Sequence, residues 1–370
     1  MTSRARHSSP FSAGLAAATA AVSLVVLFVS ATGASRASAT PTGAPTLREF
    51  VGQRFVVAMH GTSPSPALLT RVRRGEIGGV ILFGSNVVSP VQLRRLTSTL
   101  QQAAREARRP SLLIATDQEG GQVRRLPWAG PLPSTAELGQ LGTSRIRAEA
   151  TASGKALRVA GVNVDLAPVG DLPGAGSFMA LEQRTFASTP AAVSQATVAF
   201  ARGLAAARVA AAVKHFPGIG RATRNTDRAA VEIAATRAEI IRSDLLPFRS
   251  AIDAGIPIVM ISNATYPALD PKPAPWSTKI QSLLRRELRF RGVTITDALD
   301  GAAATRGRTL PSVAALAAQA GIDLLLLTGS EASSAAAFER VVTVAEQGRL
   351  SAAALEASYE RIMELKRAYG

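Results

Sequence analysis

Residues Val209 to Asp227 read VAAAVKHFPGIGRATRNTD. Five apolar residues without polar alternation end in a Lys-His pair, followed by Pro, Gly and a loop that closes on a carboxylate. A short continuous apolar run of this kind is how a strand buried on both faces of a parallel sheet reads. Seven further runs share the pattern: Arg54–Met59, Gly79–Phe83, Leu112–Thr116, Val162–Leu166, Pro257–Ile261, Val293–Thr296 and Ile322–Leu327. Each is followed by loop residues and then by helical sequence. Ser89-Pro90 supplies an N-cap and N1 proline and places Leu93, Leu96, Leu100 and Ala104 on one face. Thr189-Pro190 repeats that cap, Thr236 and Glu239 stand at capping-box spacing, another helix starts from Ser277 or Thr278, and a last one covers about Ala352 to Tyr369. Eight strand–helix alternations without a composition break predict an α/β fold, a single (β/α)8 barrel over residues 47–370.

At 370 residues, with 47% apolar and 18% charged residues, the chain can build a large core, which excludes global disorder. The first 39 residues read separately: Arg4 and Arg6, an uncharged run from Ala13 to Ala34, then Ala37-Ser38-Ala39, a small-x-small pattern. This is a secretory signal cleaved after Ala39, or, if uncleaved, an N-terminal anchor, since a run of that length spans ~30 Å of hydrocarbon as a helix; residues 40–46 form a linker. The chain is expected to be exported: extracellular, in the cell wall or on the periplasmic side of the membrane. It contains no Cys, so no disulfide supports it there. The net charge is +16, and setting aside Arg4, Arg6 and Arg36 leaves +13. That excess suits electrostatic association with an anionic cell wall, although the arginines are spread along the chain with no dense basic run, as on a solvated surface; nucleic acid is not an expected partner.

In a barrel of this type the site lies where strands end. Run three ends in Asp117 of DQEGGQVRR, run five in Lys214-His215, run six near Asn263 and run seven in Asp297 of TITDALD. Each alone reads as a loop or cap residue; together they point to one polar pocket.

At these residues the sequence resembles the glycoside hydrolase family 3 catalytic domain, in particular its single-domain β-N-acetylglucosaminidases. The resemblance runs from about Leu47 to the C-terminus through VGQRFVVAMHG, IGGVILFGSN, ATDQEGGQVRRL, NVDLAPVGDL, QRTFAS, VKHFPG, LLPFRSAI and GVTITDAL. It implies a retaining mechanism with Asp297 as nucleophile, and sugar binding by Asp117, Arg125, Arg184, Lys214 and His215. These residue types suit a sugar ligand, because a carboxylate accepts from adjacent sugar hydroxyls while Arg, Lys and His donate to hydroxyls or an acetamido carbonyl. Trp128 offers either an apolar platform or core packing, and Asp300 reads as a helix surface residue. The resemblance implies no metal or organic cofactor, and a monomer acting on a GlcNAc-containing saccharide, such as a peptidoglycan-derived GlcNAc-MurNAc fragment.

The loop after KHFPG departs from the family pattern. Where the hexosaminidases run through His-Gly to Asp-x-His, whose final His is the acid/base, this chain has Ile219 and then Asn225-Thr226-Asp227. The three histidines are His7, His60 and His215, so none fills the usual slot. Asp227 is then the acid/base, oriented by Asn225, or the loop has lost its acid and the protein hydrolyses slowly or only binds saccharide. Asn263, often His in the family, is a second departure. The chain ends about 73 residues after Asp297, which favours the loop-acid type over β-glucosidases that draw their acid from a C-terminal domain. A β-glucosidase or β-xylosidase of the same barrel is the alternative enzyme.

Overall fold

The computed structural model describes residues 45–370, so the signal-or-anchor segment and all but the end of the linker lie outside the described residues. The eight apolar runs form strands β1 (Phe55–Ala58), β2 (Gly79–Leu82), β3 (Leu113–Thr116), β4 (Val164–Asp165), β5 (Ala210–Phe216), β6 (Ile258–Ile261), β7 (Val293–Thr296) and β8 (Leu325–Leu327). All neighbours pair in parallel in chain order, with β1 also against β8, and a bridge between Ile295 and Leu324 closes the barrel. Strand β5 runs three residues past the apolar stretch, through Lys214 and His215 to Phe216, so both polar side chains leave the sheet itself rather than a loop.

Successive strand residues alternate between the two faces. Val56, Ile81, Ala115, Val164, Ala212, Met260, Ile295 and Leu326, one from each strand, belong to an interior cluster that Ile362 and Leu365 of the last helix join. The opposite-facing residues, such as Phe55, Val57, Val80 and Val213, pack among the surrounding helices. The barrel is therefore a filled core, and any cavity must lie above its top layer.

The helix signals take effect at the expected residues. Ser89, Thr189 and Ser277 accept from the backbone of N3 as caps, Thr236 and Glu239 form a reciprocal capping box, and the last helix spans Ala352–Tyr369. The helix that starts at Arg237 differs from a regular one: Ile240–Asp244 form a wide π-type turn before Leu246–Asp253 resumes. Pro247 has no N–H to donate and its ring crowds the carbonyl four residues back, which a wider turn accommodates.

The β7–β8 seam has few ladder bonds and is reinforced by side chains. Asp323, fully buried, accepts from the Thr294 N–H at 2.8 Å and from both Arg285 and Arg361, while the Asp323 and Leu326 N–H groups donate to the hydroxyls of Thr294 and Thr296, each at 2.9 Å. Asp323→Ala should destabilise the fold by about 3 kcal/mol in denaturant titration, because two guanidiniums lose their carboxylate; a change under ~1 kcal/mol would show that the ladder alone holds the seam.

Candidate active site

A cavity of about 640 Å³ opens over the carboxyl ends of the strands, floored by Ile81, Leu166, Met260 and Leu326 from the top of the barrel core. Asp117, Arg125, Arg184, Lys214, His215, Asp227 and Asp297 all line it. Trp128 and Asn263 do not. Asn263 is fully buried and donates to the Ala298 carbonyl at 2.7 Å, so it fixes the backbone beside Asp297 instead of facing the cavity.

Beyond β3 the chain folds into a small hairpin, Gln118–Gly120 against Val123–Arg124. Gln118 is buried beneath it: its amide oxygen accepts from the Arg125 and Leu126 N–H groups at 2.9 and 3.0 Å, and its NH2 donates to the carbonyls of Leu126, Ala129 and Gly130. Gly120 has φ +113°, and a Cβ there would lie 2.4 Å from the Pro133 carbonyl oxygen, so only glycine fits. This anchoring holds Asp117 and Glu119, two residues apart in an extended segment, towards the same cavity.

The buried Lys214 ammonium donates at 2.7 Å to Asp117 and lies 2.7 Å from Glu119, and Arg184 grips Glu119 with two parallel bonds of 2.9 Å. Burial opposes the charge on Glu119, but Arg184 and Lys214 override it and hold its carboxyl far below the usual range. Burial likewise lowers the Lys214 pKa, and the charges of Asp117 and Glu119 raise it overall, so the ammonium stays protonated. Arg125 stands 3.9 Å from Asp117 with its guanidinium over the Phe83 ring. Below them Asp165 is pushed up to about 8 by burial, even though it accepts the Gln118 N–H.

Glu119→Gln should cost about 3–5 kcal/mol of stability at neutral pH, since it leaves Arg184 and Lys214 partly unpaired in a buried site. Because the folded-state pKa of Glu119 is depressed, that contribution is present above its ordinary value near ~4.3 and is lost as the pH falls below it. Urea midpoints at pH 7 and pH 3 test this: the wild-type advantage should be large at the first and shrink at the second, and equal midpoints at pH 7 would refute it.

His215 is oriented from behind. Its Nδ1 lies 2.7 Å from Asp171, a fully buried carboxylate whose other oxygen accepts from the Ile219 N–H at 2.8 Å and the His215 N–H at 3.3 Å. Ile219, in the loop that follows, is buried apolar packing.

The loop from Gly218 crosses the mouth and brings Asn225, Thr226, Asp227 and Arg228 to the cavity wall. It is docked on the segment after β7: the Ala302 and Ala303 N–H groups donate to the Asp227 and Thr226 carbonyls, each at 3.0 Å. Asn225 does not orient the Asp227 carboxyl. Its side-chain oxygen accepts the Asp227 backbone N–H at 2.8 Å, a local turn bond that fixes the main chain and leaves the carboxyl free. Burial, then the negative charge of Asp297, raise the Asp227 pKa to about 6, against the opposing pull of His215 and Arg184. Asp297 ends β7; its N–H donates to the Ile261 carbonyl at 2.9 Å and its Oδ1 accepts the Ala298 N–H at 2.8 Å. Asp300 is not a helix surface residue: it lines the cavity and accepts from the Thr328 N–H and hydroxyl, tying the β7 and β8 loops together.

Among the carboxyl groups that line the cavity, Asp297 is held at a strand end and Asp227, on a docked loop, has its pKa raised to about 6. The first can attack an electrophilic carbon and the second can protonate a leaving oxygen. Beside them the paired network of Lys214, Arg184, Asp117 and Glu119 lines the same cavity. Among the described residues no cluster of three or more His, Asp or Glu side chains is arranged to hold a metal ion.

Compared with known proteins, residues 46–365 match the model of the glycosyl hydrolase family 3 N terminal domain. A protein of Arthroderma benhamiae named an uncharacterized secreted glycosyl hydrolase is 34% identical over 340 residues, covering 89% of this chain and 96% of that protein. The beta-hexosaminidase of Pseudomonas aeruginosa is 37% identical over 266 residues, 71% of this chain and 78% of that one. The structure of a glycoside hydrolase family 3 β-N-acetylglucosaminidase from Paenibacillus sp. str. FPU-7 superimposes with a TM-score of 0.85 at 32% identity, over 88% of this chain and 63% of that chain.

Proposed function

The chain belongs to glycosyl hydrolase family 3, and on that premise we propose that it is a retaining exo-β-N-acetylglucosaminidase in which Asp297 is the nucleophile and Asp227 the acid/base. Asp227 carries the proposal: it lines the same cavity as Asp297 and has a carboxyl pKa raised to about 6, and the loop's resemblance to the hexosaminidases would give it the place of their acid/base histidine.

In the first step the Asp297 carboxylate attacks the anomeric carbon while Asp227 gives its proton to the glycosidic oxygen, so the aglycone leaves as an alcohol and a glycosyl ester remains. Esterification removes the Asp297 charge that helps hold the Asp227 proton, so the pKa of Asp227 falls and its carboxylate accepts a proton from the water that then opens the ester. One pair of groups thereby serves as acid and base in turn. Asp117, Lys214, Arg184, Arg125 and His215 bind the sugar, the first four as a charge-paired network that needs little reorganisation when hydroxyls replace water. The substrate proposed is a terminal β-linked GlcNAc on a cell-wall saccharide such as GlcNAc-MurNAc. The same proposal has residues 1–39 export the chain, which then acts as a monomer near the anionic wall.

Hydrolysis of 4-nitrophenyl β-N-acetylglucosaminide, β-glucoside and β-xyloside, alongside GlcNAc-MurNAc, tests the reading. The GlcNAc substrates should have the highest kcat/KM. Preference for the glucoside or xyloside would move the protein to the alternative enzyme class, and binding of GlcNAc-MurNAc by calorimetry with no turnover of any substrate would make it a saccharide-binding protein.

A further inference from the structure

The cations on the cavity are not equivalent. Lys214 and Arg184 are committed to Asp117, Glu119 and Glu182, and Arg125 faces Asp117 and Phe83. Arg228 also lines the cavity, but its side chain is exposed and has no carboxylate within ion-pair distance among the described residues. Its backbone is nevertheless fixed, since its N–H donates to the Asn225 carbonyl at 3.2 Å within the turn whose Thr226 and Asp227 carbonyls are docked on residues 302 and 303.

Position in the turn decides what Arg228 faces. On the glycosidase reading above, on which this inference rests, Asp227 delivers its proton to the glycosidic oxygen, so atoms beyond that oxygen belong to the aglycone. Arg228 is the next residue and, being exposed, stands at the mouth rather than on the floor. A terminal N-acetylglucosamine is uncharged and already has paired donors, whereas an unpaired guanidinium at the mouth matches a planar anion that it can hold through two parallel bonds. We propose that Arg228 is a specificity-determining residue that recognises a carboxylate on the aglycone, so that the enzyme favours substrates whose leaving sugar is acidic, as in a uronic acid or a lactyl ether. The excess positive charge, +16 over the whole chain, draws such polyanionic substrates in the same direction.

Two aryl β-N-acetylglucosaminides that differ only in a ring substituent, 4-carboxyphenyl and 4-carbamoylphenyl, isolate the charge. In wild type the ratio of kcat/KM for carboxylate over carboxamide should exceed one and fall as salt is raised. In Arg228→Gln it should drop by about fivefold or more, and Arg228→Lys should recover part of it, as expected for a partly exposed charge pair. A ratio that is the same in wild type and Arg228→Gln, or a wild-type preference for the carboxamide, overturns the inference while leaving the glycosidase reading intact. If folded wild type cleaves neither of these nor the 4-nitrophenyl glycoside, the glycosidase reading itself fails, and the inference with it.

Discussion

Asp297→Asn should lower kcat by at least about 10⁴-fold on every substrate, activated or not, because an amide in place of the attacking carboxylate cannot form the covalent ester. The expected uniformity follows from where Asp297 sits. Its backbone is held by the Ile261 carbonyl at the end of a sheet strand, and the substitution replaces one oxygen by an NH2 of nearly the same size, so binding and fold should persist. An activated 5-fluoro N-acetylglucosaminide, which forms the ester faster than water opens it, should leave a glycosyl adduct on the Asp297 peptide in mass spectrometry. An adduct on Asp300 instead would reassign the nucleophile, since that carboxyl shares the cavity.

Asp227→Asn should behave differently, and the contrast is informative. With a poor leaving group such as the sugar of GlcNAc-MurNAc, loss of the general acid should cost ~10²- to 10⁴-fold, whereas a dinitrophenolate leaves without help and its bond cleavage should be nearly unaffected. The pH profile supplies a second signature. Asp227 must be protonated to act, and its pKa is raised to about 6, so kcat/KM for poor leaving groups should decline as the pH rises through about 6. That decline should disappear in Asp227→Asn, as it would for a group that supplies the proton and not for one that merely shapes the loop. If the variant loses activity equally on all leaving groups, Asp227 is a structural member of the loop and the acid lies elsewhere.

Much of the scaffold is legible in the sequence because parallel strands buried on both faces leave a plain mark. Runs such as VAAAV and GVTIT lack the spacing of an amphipathic helix, and the Ser-Pro and Thr-Pro caps between them set helix starts to the residue. Strand ends point to Asp117, Lys214, His215 and Asp297, which line the cavity, and to Asn263, which is buried away from it; Arg125, Arg184 and Asp227 are suggested by the family resemblance and not by a strand end. The supporting contacts are harder to see. Glu119 stands two residues from Asp117 in the same DQEGG stretch, and the period of two in an extended segment is the available sign that it faces the same way; the turn-forming glycines beside it obscure that sign. Asp171 and Asp165 give no signal, because a buried carboxylate that orients a histidine or a loop is defined by a partner tens of residues away. The same holds for Asp323 at the β7–β8 seam. Asp300 departs from its expected place on a helix surface because the helix after β7 begins only at Ala302, and Asp300 is turned back to Thr328. Asn225 departs from its expected role for a local reason: an Asn two residues before an Asp is as well placed for the backbone N–H as for the carboxyl, and the backbone is nearer.

The anomeric configuration of the first sugar released tests the two-carboxylate account most directly. Proton NMR of 4-nitrophenyl β-N-acetylglucosaminide hydrolysis, followed from the first minutes, should show β-N-acetylglucosamine appearing first and the α-anomer only as mutarotation proceeds, because two displacements at the anomeric carbon restore its configuration. Initial appearance of the α-anomer would mean a single displacement by water, and would contradict a covalent ester on Asp297.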